Sequence, residues 1–283
     1  MILRAFDPWK SELCTCPPKL SLNPYTGCQH GCLYCYASSY IPRFSSCRPK
    51  VDLLKRLDRE SSKSTTDFFV AISNSSDPYP PMEKELRLTR GCLRILKEKG
   101  FGVQIVTKSD LVAEDIDLLA GMRAAVAITV TTLNESLSRR LEPGAPSPKR
   151  RLSALKELSD AGIPVSARID PIIPGINDQG FGDLVYSLFS SGVRHITAST
   201  YKARPDNLKR IKTAFPEVGE ALEVLFSRGG KTSGSRYLPE EVRRSILDGL
   251  EAQVLKAGIT FSTCREGFVF PQGTSCDGSH LLP

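Results

Sequence analysis

Between Asn23 and Tyr36 the sequence runs Asn-Pro-Tyr-Thr-Gly-Cys-Gln-His-Gly-Cys-Leu-Tyr-Cys-Tyr, which sets Cys28, Cys32 and Cys35 at C-x3-C-x2-C spacing. Thiolates suit iron-sulfur clusters, and a full [4Fe-4S] cubane uses four protein ligands. Three leave one iron open. That vacancy can chelate the amino and carboxylate groups of S-adenosylmethionine (SAM) and set its sulfonium beside the cluster, where one electron breaks a carbon-sulfur bond. The products are methionine and a 5′-deoxyadenosyl radical. A zinc knuckle completed by His30 is the competing reading of the loop, but structural zinc sites usually pair C-x2-4-C with a second pair of ligands farther along.

The other cysteines lie mostly near the two ends. Nine in all is an odd number, and in a chain of 283 residues with no signal-like start this points to metal binding before a disulfide framework. Cys14 and Cys16 precede the first expected strand, while Cys264 and Cys276 sit in the tail. Together they supply the four thiolates of a second [4Fe-4S] cluster that would join the ends of the chain, although zinc is equally satisfied by four thiolates. Cys276 to His280 reads Cys-Asp-Gly-Ser-His, which resembles part of the motif of CDGSH-type [2Fe-2S] proteins. There a C-x-C closely precedes the string, whereas here it stands at the other end of the chain. Four thiolates are therefore preferred, with His280 a substitute ligand or substrate-site residue. Cys47 and Cys92 read as reduced structural thiols.

These groups need a rigid frame. From residue 68 short β-rich runs alternate with helical stretches: 68–73 before 82–99, 102–107 before 113–122, 124–130 before 148–161, 164–169 before 181–190, and 194–199 before 205–226. This recurrence implies a parallel sheet covered by helices. With Lys19 to Asn23 as the first strand, six strands emerge, too few for a complete eight-stranded barrel. The expected fold is α/β, a partial (β/α)6 barrel over 19–215. Segment 1–18 carries the C-x-C, and 216–283 forms a helical C-terminal region, with a short strand at 260–263 and the cysteine-bearing tail. Polar clusters follow the strands at the end where chemistry collects: Asn74, Ser76 and Asp77 after strand two, Lys108 after strand three, Thr129 and Thr131 at strand four. On strand five, alternation puts Ser166, Arg168 and Asp170 on one face and Ala167 and Ile169 on the other.

In this order the motifs resemble those of the radical SAM superfamily, and more narrowly the spore photoproduct lyase family in its archaeal-type branch, over roughly Asn23 to Ser199. Tyr34 and Tyr36 match the tyrosines that flank the last cluster cysteine there, which implies a catalytic place for them. The resemblance further implies SAM-binding positions at Ser76, Asp77, Lys108 and Thr131, to which Thr129 and Arg168 are added as mouth-facing polar residues. Leu141-Glu142-Pro143-Gly144 resembles the family's Phe-Glu-Pro-Gly. One position departs: the lyase carries a hydrogen-donor cysteine three residues before the aspartate, and here Asn74 stands in its place, so the repair reaction does not follow from the resemblance.

Composition bounds the rest. With 38 Lys+Arg against 31 Asp+Glu the net charge is +7, compatible with a polyanionic substrate but short of a dense basic patch. No stretch approaches the roughly 20 apolar residues of a membrane span, and a cytoplasmic protein is expected. Ser227 to Arg236 is a basic, Gly/Ser-rich loop that could close over a substrate or simply connect helices. His195 reads as a satisfied structural histidine, and Tyr201, Lys202 and Arg204 as substrate contacts. Phe6 and Trp9 read as packing residues. The leading expectation is a radical SAM enzyme acting on an unknown substrate, with DNA or RNA among those considered, and served by a reductase or ferredoxin. A sulfur-inserting or RNA-modifying enzyme, and a non-catalytic metal-stabilised nucleic-acid-binding protein, are the rivals.

Overall fold

The computed structural model describes residues 1–6, 11–72, 75–268 and 273–283. Trp9 and Asn74 lie outside the described residues.

Among the described residues seven parallel strands form one sheet in chain order: β1 (Leu20–Leu22), β2 (Val70–Ile72), β3 (Val103–Thr107), β4 (Ala124–Thr129), β5 (Val165–Ile172), β6 (His195–Thr200) and β7 (Thr260–Thr263). A short antiparallel strand, Arg4–Ala5, extends the β1 edge. The six expected strands are present. The seventh is a correction: 260–263 was placed outside the barrel, yet Thr260 pairs with His195 and Thr263 with Ala198. Arg4–Ala5 and Thr260–Thr263 are thus the two edges of the one sheet, and the cysteine-bearing segments extend from them.

Alternation decides which side chains meet the helices. Val126 and Ile128 of β4, Val165, Ala167 and Ile169 of β5 and Ile196 and Ala198 of β6 join one buried core with helix residues such as Leu93, Leu155, Leu188 and Leu250. Fully burying such a side chain is worth about 1.5–3 kcal/mol. The opposite face of β4 carries Ala125, Ala127 and Thr129, and that of β5 carries Ser166, Arg168 and Asp170. Small residues on that face leave room for a cavity.

The segment expected as one helix over 82–99 is two, Glu83–Leu86 and Leu88–Glu98, broken at Arg87, whose φ is 49°. The break has a local cause. The Glu83 carboxylate accepts from the N–H groups of Thr89 (2.9 Å) and Arg90 (3.1 Å), satisfying donors that the first turn of the second helix cannot pair. Among the described residues no helix is long and apolar enough to cross a membrane.

Candidate functional site

The cysteine loop follows β1 and has little regular structure, so its shape is set from outside. Gly27 sits at φ 83°, and a Cβ there would lie 2.5 Å from the Phe44 carbonyl, so only glycine fits. Cys28 N–H donates to the same Phe44 carbonyl at 2.8 Å. The Leu141 to Gly144 segment then clamps the loop: Leu33 N–H donates to Leu141 O, and Gly144 N–H to His30 O, each at 2.9 Å. A Cβ on Gly144 would stand 2.3 Å from the Gln29 carbonyl, which explains a glycine at this close approach. From the helix Pro205–Ala214, Arg210 donates to the carbonyls of Leu33 and Cys35 at 2.9 Å, and Asn207 to that of Tyr34 at 3.1 Å.

Beneath the loop is a buried charge cluster. Glu142 pairs with Arg151 at 2.5 Å, with side-chain exposures of 0% and 1%. The same carboxylate accepts from Tyr34 Oη and from Thr131 Oγ1, the latter at 3.3 Å. Burial alone would raise the Glu142 carboxyl, but Arg151 and Lys108 outweigh it and hold it below its ordinary value. Tyr34 is therefore tied by its hydroxyl to the scaffold. Thr131 turns its hydroxyl to the same carboxylate and, unlike Thr129, does not line the cavity, because β4 and its strict alternation end at Thr129.

Asp77 is a second knot. Its oxygens accept from Thr107 Oγ1 (2.6 Å), Lys108 N–H (2.8 Å) and Tyr79 N–H (2.9 Å), and Oδ2 lies 3.3 Å from His30 Nε2. Burial would raise this carboxyl; His30, Thr107 and Lys108 bring it down to about 2. His30, considered as a zinc ligand, is instead held between Asp77 and the Gly144 carbonyl, 3.1 Å from Nδ1.

Above these knots lies a cavity of about 720 Å³. Its wall includes Cys28, Cys32, Cys35, Tyr34 and Tyr36, with Ser76, Asp77, Lys108, Thr129 and Arg168. The expected site residues thus converge, apart from Thr131 behind the wall and Asn74 outside the described residues. Burial pushes all three cluster thiols up, Cys28 to about 12. Backbone N–H groups of His30 and Asp77 oppose this at Cys28, as do those of Ala37 and Ser38 at Cys35. Such donors suit a sulfur that carries charge, and metal binding releases the thiol proton. Lys108 makes no ion pair among the described residues, and its Nζ stands 5.5 Å from the Tyr34 ring centre beside Cys32. A cation left open in a cavity fits an incoming carboxylate. The residues present therefore fit a cluster with SAM.

Two other cations of the wall have carboxylate partners. Arg168 pairs with Asp170 at 2.7 Å, and Lys202 with Glu266 at 2.7 Å, where Arg243 joins at 2.9 Å. Arg265 stands 5.3 Å from the Tyr36 ring centre. Arg151, Asn207, Arg210, Arg243, Arg265 and Glu266 were not anticipated; they come from remote helices or the tail, where only the Glu-Pro-Gly string gave a signal. His195 is the structural histidine expected: its nitrogens meet Thr260 Oγ1 and Ser262 Oγ, both at 2.9 Å.

The terminal cysteines reach the same cavity. Cys14, Cys16 and Cys264 line it, Cys276 is buried behind, and Cys16 Sγ lies 3.3 Å from Cys276 Sγ. Among the described residues no three His, Cys, Asp or Glu side chains close tightly enough to hold one ion, and this applies to both cysteine groups. His280 lies away from the cavity wall, its Nδ1 3.1 Å from Ser275 N and its ring edge-on to His195.

Breaking the Glu142 pair gives a direct test of the clamp. Arg151→Met should cost about 3–5 kcal/mol in denaturant unfolding, because it strands a buried charge. Adding Glu142→Leu should recover most of that stability while the reconstituted cluster is lost faster, since Tyr34 is released. Equal stability of Arg151→Met and the parent protein would show that the pair does not hold the loop.

Comparison with known proteins follows the geometry. The chain matches the model of the Radical SAM superfamily over residues 22–188. An uncharacterised protein of Methanocaldococcus jannaschii is 35% identical over 167 residues, covering 56% of this chain and 62% of that relative. A radical SAM Nalpha-GlyT isomerase of Pseudomonas phage M6 is 25% identical over 254 residues, covering 86% of this chain and 53% of the phage protein. Spore photoproduct lyase with bound AdoMet and dinucleoside spore photoproduct shares the fold at a TM-score of 0.67 and 15% identity, over 93% of this chain and 80% of the lyase. With its three-cysteine loop at the mouth of a partial barrel, the chain belongs to the radical SAM superfamily.

Proposed function

We propose that this protein is a radical SAM enzyme that abstracts hydrogen from a nucleic acid, with Cys28, Cys32 and Cys35 holding the [4Fe-4S] cluster and Lys108 receiving the carboxylate of SAM. The observation that carries the reading is the open Lys108 ammonium in the cavity lined by the three cysteines. Bound there, cluster and SAM supply a 5′-deoxyadenosyl radical when an external reductase or ferredoxin delivers an electron. Ser76 and Thr129 offer hydroxyls to SAM, Arg168 a guanidinium, and Asp77 and Thr131 fix the groups around it. Tyr36, in the wall beside Arg265, is the tyrosine placed to meet substrate, while Tyr34 braces the loop. In this reading Cys14, Cys16, Cys264 and Cys276 hold an auxiliary iron-sulfur cluster.

A surface pocket favours the nucleic acid as substrate. It measures about 440 Å³ and is lined by Arg204, Lys209, Lys212 and Arg236, against one carboxylate, Glu223, which Lys212 already pairs. Lys209 and Arg236 make no ion pair among the described residues. Arg204 is fixed by Ser235 Oγ (3.2 Å) and the Ser233 carbonyl (3.0 Å), which tie the 227–236 loop to the end of β6. The lyase that shares this fold was solved with a dinucleoside photoproduct, in keeping with a nucleic-acid target.

Anaerobically reconstituted protein should release 5′-deoxyadenosine from SAM on reduction, and Cys28→Ala, Cys32→Ala and Cys35→Ala should each abolish release. Lys108→Ala should weaken SAM about tenfold or more, the equivalent of a charge-assisted contact of roughly 1.5–3 kcal/mol. Cleavage that survives in all three cysteine variants would sink the assignment.

The pocket is tested separately. For a single-stranded oligonucleotide, Lys209→Ala with Arg236→Ala should flatten the dependence of log K on log salt by about 0.7 for each phosphate that the protein no longer neutralises. An unchanged slope would show that nucleic acid, if bound, lies elsewhere.

A further inference from the structure

The turn that follows the last cluster cysteine carries a tyrosine at each end. Ala37–Ser39 is a single 3-10 turn, entered from Tyr36 and left through Tyr40. The two ring centres are 6.3 Å apart and the planes lie 27° from parallel, so the rings stack. The turn is fastened to the helix Pro205–Ala214. Ser38 Oγ donates to Asp206 at 2.7 Å, Arg210 donates to Ser38 Oγ at 2.9 Å, and Arg210 pairs with Asp206 at 3.1 Å. Because Tyr36 follows Cys35 directly, the stack hangs from the cluster loop itself.

An arginine stands at each end of this stack. On the inner side the Arg265 guanidinium is 5.3 Å from the Tyr36 ring centre, and both residues line the cavity of the three cysteines. Arg265 takes a φ of 56°, a left-handed backbone uncommon outside glycine, and its neighbours hold it there. Cys264 N–H donates to the Ala198 carbonyl at 2.8 Å, and the Glu266 carboxylate accepts from Thr200 N–H at 2.8 Å. On the outer side the Arg204 guanidinium is 5.9 Å from the ring centre of Tyr40, which is 38% exposed. Arg204 also lines the surface pocket that holds Lys209 and Arg236. The order Arg265, Tyr36, Tyr40, Arg204 therefore leads from the cavity to the surface pocket. Of the carboxylates nearby, Asp170 is paired with Arg168 at 2.7 Å and Asp206 with Arg210.

Aromatic faces interleaved with cations are what a single strand of nucleic acid needs, since its phosphates follow the cations and its bases stack on the rings. A duplex does not offer those base faces, because they are already stacked on one another. We propose that the stack is a track for single-stranded nucleic acid between the surface pocket and the cavity. The base next to the reacting nucleotide lies on Tyr40, its phosphate meets Arg204, and the reacting nucleotide sits beyond Tyr36 beside Arg265. This rests on the reading that the substrate is a nucleic acid. It adds that the strand is single where it enters and names the residue on which the neighbouring base is held.

The test is fluorescence anisotropy of the full, anaerobically reconstituted chain with labelled oligonucleotides of about 12 nucleotides, a length that such sites span. Three probes are compared: a single strand, the same strand with its central bases removed, and the duplex. The parent protein should bind the single strand more tightly than either of the others. Tyr40→Ala should weaken the intact strand roughly fivefold to a hundredfold, the range for one lost base stack, and leave the abasic strand and the salt slope unchanged. Tyr40→Phe, which keeps the ring, should bind as the parent does. Equal loss on the intact and abasic strands, or no loss on either, would mean that Tyr40 only braces the turn and would overturn the track. A duplex bound as tightly as the single strand would overturn it as well. A parent protein that binds none of the three probes would overturn the nucleic-acid reading itself, a distinguishable result.

Discussion

The interaction on which the rest depends is the grip on an irregular loop. Cys28 to Cys35 lies in neither helix nor strand, so its backbone has no ladder to fix it. Its polar groups are paired instead with Phe44, Leu141, Gly144, Asn207 and Arg210. The Glu142–Arg151 pair anchors this grip from below. A buried ion pair contributes little net stability compared with an apolar pair of the same size, but it tolerates few alternative geometries. For three thiolates that must meet one cluster, geometry is the quantity that matters.

The same economy governs charge in the cavity. In a dry, low-dielectric space an unpaired ion is costly and a paired one strongly held. Arg168, Lys202 and Lys19 have carboxylates of their own. Lys108 feels Glu142 and Asp77 but makes no contact ion pair among the described residues, which suits it to meet an entering anionic group. Asp77, with four protein partners, does the opposite work: it spends its charge on joining the β2 loop, the end of β3 and His30.

Much of this was legible in the sequence, for physical reasons that differ by element. The cysteine spacing needs no tertiary context, and β2 to β6 announce themselves as apolar runs between turn residues. Inward Arg168 and Asp170 followed from alternation alone. Strand β7 was harder to place, since Thr260–Thr263 is short and no pattern states which edge it joins. The helix Leu53–Ser61 was missed because only Leu53 and Leu57 of its residues are buried apolar ones. Arg151, Asn207 and Arg210 act on partners far away in the chain, which periodicity cannot reveal. Thr131 shows the limit of alternation: the rule stops where the strand stops.

The central claim is that three thiolates leave one iron for SAM. Reduced protein with SAM labelled by 15N at its amino group should show a 15N hyperfine coupling to the cluster, which Cys28→Ala, Cys32→Ala and Cys35→Ala should eliminate. Tight SAM binding to the reduced protein with no such coupling would contradict the claim.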